Sequence, residues 1–107
     1  MEGLELISFK IIASVGTARS LYIEAIQLAK AKDFDGAKKM VREGDKNFLE
    51  GHHAHVELIQ QEANKQNVAV NLLLVHAEDQ MMSADAFKII ANEFIDLYEL
   101  IAKKEVK

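Results

Sequence analysis

The chain contains no cysteine and no proline among its 107 residues. Without cysteine it has no disulfide, no thiolate metal site and no cysteine nucleophile, so a covalent intermediate would have to form on another side chain. Without proline it lacks the strongest helix breaker, and long helices can run uninterrupted. The two absences favour helices as the scaffold and histidine as the reactive group.

The sequence also lacks a long apolar run and an excess of basic residues. It has no stretch of about 18 or more uninterrupted apolar residues, and the N-terminus has neither the basic start nor the cleavage site of a signal peptide. Acidic residues number 17 against 13 basic ones, and no stripe of Lys and Arg with interleaved aromatics is visible. We therefore expect a soluble, cytoplasmic protein that does not bind nucleic acid.

The hydrophobic content is high for so short a chain. Half of the residues are hydrophobic, yet a domain of this size has a limited interior in which to bury them. We expect one domain, residues 1–107, whose surplus apolar surface is covered by further copies of the chain.

Apolar residues recur at three- and four-residue spacing along nearly the whole sequence, which predicts an all-α fold. The predicted helices are Glu2–Lys32, Phe34–Asn64 and a third from between Ala69 and Asn71 to Lys103. Asp33 is a good N-cap for the second helix, and the short connection predicts antiparallel packing. Gly16 interrupts the first helix, which indicates either a kink or close approach by another backbone.

The third predicted helix carries the residues with the most chemistry. Its stripe comprises Leu72, His76, Asp79, Ser83, Ala86, Ile90, Phe94, Leu97 and Ile101, of which the second half is expected to be core. His76 and Asp79 interrupt this stripe, and buried ionisable groups are costly unless they are paired or functional. One interpretation is a hydrogen-bonded pair that fixes helix register. The other is a reactive imidazole that captures a phosphoryl group.

Phosphoryl transfer needs an in-line nucleophile and donors for the phosphoryl oxygens. Gln80, one turn after His76, and Ser83 on the same stripe could donate. Glu78 and Asp79 would repel a phosphate as free anions, so we expect Asp79 to point away from it or to be neutralised by a cation.

A second cluster of histidines lies in the predicted second helix, at His52, His53 and His55. His52 and His55 are three residues apart and could share a metal such as zinc, although two histidines make a weak metal signal. The alternative is packing and hydrogen bonding around the site.

Four segments together resemble the lactose/cellobiose (chitobiose)-type enzyme IIA components of the bacterial phosphoenolpyruvate-dependent sugar phosphotransferase system. They are Gly16-Thr17-Ala18-Arg19-Ser20, the junction from Ala29 to Ala37, Glu50-Gly51-His52, and Val75-His76-Ala77-Glu78-Asp79-Gln80-Met81-Met82. The resemblance covers nearly the whole chain, and the segments occur in the family's order at the expected separations.

This resemblance implies a fold, a role and partners. His76 would be the histidine phosphorylated by the phosphocarrier HPr, and it would pass the phosphoryl group to a cysteine of enzyme IIB during uptake of a disaccharide such as lactose or cellobiose. The fold would be three long antiparallel helices per protomer, trimerised into a nine-helix bundle. One Asp79 from each of three subunits would meet on the axis around a divalent cation such as Mg²⁺, while His76 would face a cleft between subunits.

Three positions depart from the family pattern. Glu78 replaces the usual glutamine, Gln80 the usual histidine, and His55 a common glutamine. Glu78 is expected to add a negative charge beside the site, whereas Gln80 keeps a hydrogen-bond donor.

Two other functions remain open at the level of sequence. The first is a non-catalytic helical assembly or metal-holding module, in which His76 and Asp79 are only structural. The second is a two-component histidine phosphotransfer domain. There a lysine typically follows the reactive histidine by three residues, a place that Asp79 occupies with the opposite charge.

Overall fold

A computed structural model describes residues 3–64 and 70–105 of the chain, which form three α-helices. The helices are α1 (Gly3–Lys30), α2 (Phe34–Ala63) and α3 (Leu72–Glu105). The described residues contain no strand, so the expected all-α fold of three long helices is confirmed. The second predicted turn falls largely on residues 65–69, outside the described part of the chain.

The turn between α1 and α2 is closed by capping interactions at both helix ends. Lys32 adopts a left-handed conformation with φ 68°, and the backbone N–H of Asp33 donates to the carbonyl of Leu28 at 2.9 Å, as in a Schellman motif. The Asp33 side chain then accepts a hydrogen bond from the backbone N–H of Gly36 at 3.0 Å. The predicted N-cap is confirmed, and the tight turn folds α2 back along α1.

The core lies between the three helices and is built mainly from small residues. On α1, the apolar residues that recur at three- and four-residue spacing form a stripe, of which six members are fully buried: Ile11, Val15, Ala18, Tyr22, Ala25 and Ala29. On α2, a Cβ added at Gly44 would lie 2.6 Å from Cε1 of Tyr22, so glycine lets α2 approach the tyrosine ring. The resulting bundle measures 62 by 22 by 20 Å.

Helix α1 is more apolar than a helix covered on one face needs to be. Among the described residues it is long and apolar enough, by length and composition, to cross a membrane, with a mean hydropathy of 1.3 over 18 residues. Its buried stripe packs against α2 and α3, so we interpret it as the central helix of the bundle. Leu6 and Phe9, on its other side, are exposed.

The structure corrects the predicted core of α3. Ile90, Phe94, Leu97 and Ile101 are 41%, 38%, 48% and 41% exposed. The residues of α3 that are buried within the chain are Leu74, Ala77, Ala84, Ala91 and Ile95. Helix α3 has two apolar faces, and the one rich in alanine packs inward because small side chains allow close contact with α1. The larger apolar residues therefore point out of the protomer.

No other helix of the described chain approaches Gly16 closely. Helix α1 continues through this position, and a Cβ added there would have nothing within 4 Å. A side chain at this position would therefore point into open space outside the protomer.

Candidate functional site

His76 lies in the second turn of α3, where it is exposed. The helix is started by Asn71, whose side-chain oxygen accepts a hydrogen bond from the backbone N–H of Leu74 at 2.9 Å. Ala77 is fully buried. Because successive residues of an α-helix are rotated by about 100°, His76 and Glu78 project to opposite sides of Ala77. The two residues therefore lie on different flanks of α3.

On the His76 side, α1 packs beside α3 and supplies a cation. Arg19 Nη1 donates to Ser83 Oγ at 3.3 Å, and Ser83 follows His76 by two helical turns on the same side, about 10 Å along the axis. Gln80 lies between them. We call His76, Gln80, Ser83 and Arg19 the His76 flank. It combines an exposed imidazole with amide, hydroxyl and guanidinium donors, a set of groups suited to a phosphoryl group.

On the opposite flank, Glu78 pairs with α2. The Nε2 atom of His55 lies 2.7 Å from Oε1 of Glu78, and because a carboxylate can only accept, Nε2–H is the donor. Within one chain, Glu78 therefore lies on the flank of α3 opposite His76, and its effect on the charge of the site stays a prediction. Residues two apart in a helix diverge by about 200°, so their closeness in sequence separates them in space. Two departures from the family pattern, His55 and Glu78, bind each other.

The His55–Glu78 pair forms part of a groove of about 460 Å³ between α2 and α3. We call this the α2/α3 groove; its lining residues are Phe48, His52, His55, Ile59, Glu78, Met81, Met82 and Asp85. The described residues contain no group of three or more His, Asp or Glu side chains placed to hold a metal ion. His55 thus contacts a carboxylate, and among the described residues no third ligand completes a zinc site at His52 and His55.

Asp79 is exposed on the outer face of α3, which points away from α1 and α2. The outer face of α3 comprises Asp79 and the large apolar residues that are exposed along the same helix: Val75, Met82, Ile89, Ile90, Phe94, Leu97, Leu100 and Ile101. Within the described chain, neither His76 nor Asp79 takes part in a side-chain hydrogen bond, so a direct His76–Asp79 pair is not formed. Both groups are exposed at neighbouring positions of one predicted stripe.

Two contacts at the site had no place in the sequence reasoning. Arg19 lies in the segment that resembles the family's G-x-A-R-S, but its contact with Ser83 joins residues far apart in the chain. The pairing of His55 with Glu78 likewise joins α2 to α3. The joint departure of these two positions from the family pattern was the only signal for that contact.

The relatives of the chain define its class. Residues 6–99 match the family described as "PTS system, Lactose/Cellobiose specific IIA subunit". The lichenan-specific phosphotransferase enzyme IIA component of Bacillus subtilis (strain 168) is 40% identical over 103 residues, covering 96% of this chain and 94% of the relative. A lactose-specific EIIA component of Staphylococcus epidermidis is 32% identical over 96 residues, covering 90% of this chain and 92% of the relative.

Solved structures agree with this assignment. The cellobiose-specific enzyme IIA from Bacillus anthracis superposes with a TM-score of 0.94 at 38% identity, covering 97% of this chain and 95% of that one. A chain from the IIA(chitobiose)–HPr complex of the Escherichia coli phosphotransferase system gives a TM-score of 0.81 at 32% identity, covering 95% of this chain and 99% of that one.

The fold and the matches together make the chain a component of a phosphotransferase system. It belongs to the lactose/cellobiose-specific IIA subunits, whose role in that system is phosphoryl transfer.

Proposed function

We propose that His76 is the residue that carries the phosphoryl group. It accepts the group from phosphorylated HPr and passes it to a cysteine of enzyme IIB during uptake of a disaccharide such as lactose or cellobiose. The main support is the environment of His76. The imidazole is exposed beside donor groups, while the neighbouring acid Glu78 is engaged by His55 on the opposite flank of α3.

The chemistry asks little of the protein beyond position and charge. A ring nitrogen of His76 attacks the phosphorus in line with the bond to the donor. The new N–P bond forms as the bond between the donor and phosphorus breaks, and the electron pair of the broken bond leaves with the donor atom. In the second step the sulfur of the enzyme IIB cysteine attacks the same phosphorus, and the electron pair of the N–P bond returns to His76. Gln80 is placed one turn away to donate to a phosphoryl oxygen.

A HPr partnership is supported by the similarity to a chain from a IIA–HPr complex. The partner surface would have to include His76, and the exposure of this residue at the second turn of α3 leaves it open to a donor protein. Enzyme IIB would use the same surface in the second step, since both partners must reach the same imidazole. We accordingly expect the protein to act in the cytoplasm.

The outer face of α3 supports assembly into a homotrimer. A single chain leaves this row of large apolar side chains uncovered, and a face of that kind is typical of a helix that packs against other helices. Three α3 helices packed around one axis would bury it and give nine helices in all.

Asp79 lies within this outer face and would be brought to the axis by the same packing. One chain supplies only one carboxylate there, and its described residues hold no metal-binding group of three. Three copies would supply three carboxylate oxygen donors, the type that hard divalent cations such as Mg²⁺ prefer. The cation would neutralise the like charges of the three Asp79 side chains.

Phosphorylation in a reconstituted system tests the role of His76. The protein is incubated with phosphoenolpyruvate and the general phosphotransfer proteins, including HPr, and the bound phosphate is measured. We expect a phosphate that is labile in acid and stable in alkali, lost in His76→Ala and retained in His53→Ala, a matched change at an exposed histidine of α2. Absence of label on the wild-type protein with competent donors would refute the proposal and favour a non-catalytic assembly module.

A further inference from the structure

The two flanks of α3 carry opposite charges. The His76 flank contains the guanidinium of Arg19, which forms no ion pair within the described part of the chain. The α2/α3 groove on the other side contains two acids, Glu78 and Asp85. The flanks are thus complementary to each other, although they cannot meet within one protomer.

A ring of identical subunits brings such flanks together. In the proposed trimer, α3 lies at the axis, and a closed ring is made by the same head-to-tail contact repeated between neighbours. One flank of each copy therefore faces the opposite flank of the next. This step rests on the proposed assembly, and it places the α2/α3 groove of one copy beside the His76 flank of another.

The residues that would meet can be assigned by their height along the axis. Rotation about an axis parallel to α3 leaves each residue at the same height, and Glu78 follows His76 by two residues, about 3 Å along the helix. The Glu78 of one copy is therefore level with the His76 of its neighbour. His55 is held at the same level through its 2.7 Å contact with Glu78.

We propose that the His55–Glu78 pair of one copy closes the cleft at His76 of the next copy, with His55 holding the Glu78 carboxylate away from the phosphoryl group. A phosphoryl group carries about two negative charges, so a free carboxylate in the same cleft would repel it. The hydrogen bond to Nε2 keeps the Glu78 oxygen on the side of its own groove. His55 is thus a positioning residue for the neighbouring subunit's reaction.

Cross-linking tests the contact between flanks without any phosphorylation. The chain has no cysteine, so a variant with Gly16→Cys and His52→Cys has only the two introduced thiols. Gly16 is open on the outside of α1, about one helical turn before Arg19 of the His76 flank, and His52 lines the α2/α3 groove. A short bismaleimide should join chains into covalent dimers and trimers. The matched variant Gly16→Cys with Lys39→Cys, on an exposed face of α2, should stay monomeric on a denaturing gel.

Mixed trimers test the action of His55 across the interface. His55→Leu removes the donor and leaves Glu78 free, and we expect phosphorylation of His76 by the donor protein to slow on the order of fivefold at low salt, with a smaller loss at high salt because the repulsion is screened. His55→Leu with Glu78→Gln should restore the rate. Co-expression of tagged His55→Leu chains with an excess of His76→Ala chains should also restore labelling of the tagged chain, since its neighbours then supply an intact pair.

Each result has a defined meaning. A slow tagged chain in the mixed trimers would show that His55 acts within its own subunit and would overturn the proposal. Cross-linking by the control pair alone, or by neither pair in a protein that sediments as a trimer, would overturn the flank contact. A protein that cross-links as expected but accepts no phosphate would refute the proposed function and leave the interface standing.

Discussion

Tyr22 shows how single residues tie the three helices together. Its ring is fully buried, and its hydroxyl donates to Asp45 Oδ1 at 2.7 Å. The same Asp45 oxygen lies 3.4 Å from Nζ of Lys88. One tyrosine of α1 thereby connects to α2 and, through Asp45, to α3. Burial raises the pKa of Tyr22 above its ordinary value of 10.0, and the hydrogen bond and negative charge of Asp45 and the charge of Asp85 add to the rise.

Tyr22→Phe removes this hydroxyl while keeping the ring. We expect the free energy of unfolding to fall by about 1 kcal/mol at neutral pH, because one hydrogen bond to a charged acceptor is lost while Asp45 keeps Lys88 and some solvent. Urea denaturation measures the change. Tyr98→Phe is the control, since the Tyr98 hydroxyl has no hydrogen bond among the described residues. An equal loss in both variants would contradict this account.

The raised pKa of Tyr22 also predicts how the difference in unfolding free energy between the wild type and Tyr22→Phe depends on pH. The folded state holds the Tyr22 proton more tightly than the unfolded state, so the contribution is complete below the unfolded pKa and declines as the pH rises through the folded value. As the pH rises above about 10, the wild-type protein should lose more stability than Tyr22→Phe.

At the scale of the helices, glycine positions separate contacts inside the protomer from open surface. A Cβ at Gly44 would lie 2.6 Å from the Tyr22 ring, whereas a Cβ at Gly16 would meet nothing within 4 Å. Both glycines lie inside helices, where alanine has the higher helix propensity. The surroundings of each helix therefore decide which substitution is tolerated.

Gly44→Ala and Gly16→Ala form a matched pair of tests. Gly44→Ala should lower the free energy of unfolding by about 1–3 kcal/mol, because the buried Tyr22 ring has to move. Gly16→Ala should raise it by up to about 1 kcal/mol. Thermal unfolding followed by circular dichroism distinguishes the two. Stabilisation by Gly44→Ala would mean that α1 and α2 lie further apart than in this structure.

At the scale of the whole molecule, α3 has an inward face rich in alanine and an outward face of large apolar residues, and only the inward face is covered within the protomer. The inward face holds the protomer together. The outer face, with Asp79 in it, remains uncovered. Stability of the protomer and stability of the proposed assembly consequently depend on different residues of one helix.

Asp79→Leu tests the proposed trimer and its cation. Three carboxylates on an axis repel one another unless a cation or proton neutralises them, so a chelator should weaken the wild-type trimer in sedimentation equilibrium. Asp79→Leu should form a trimer that is at least as stable and is insensitive to the chelator. Asp35→Leu, at the start of α2, should behave like the wild type. A monomer for Asp79→Leu alone would contradict the axial position of Asp79.

The amino-acid sequence by itself determined the three helices, the N-cap at Asp33 and the buried stripe of α1. These features follow from local periodicity and capping, which act over a few residues. The position of His76 beside Gln80 follows from the same periodicity, since both lie on one stretch of α3. The family could also be recognised from four short segments of the chain.

Only the tertiary structure decided which apolar face of α3 is covered and where Glu78 points. Periodicity shows which residues share a face, but the inward face is the one whose size fits the gap left by α1 and α2. The alanine face fits, and the larger residues at Ile90, Phe94 and Leu97 are left outside. Likewise, the partner of Glu78 is His55 because α2 passes beside that flank, a contact between residues distant in sequence that no local pattern encodes.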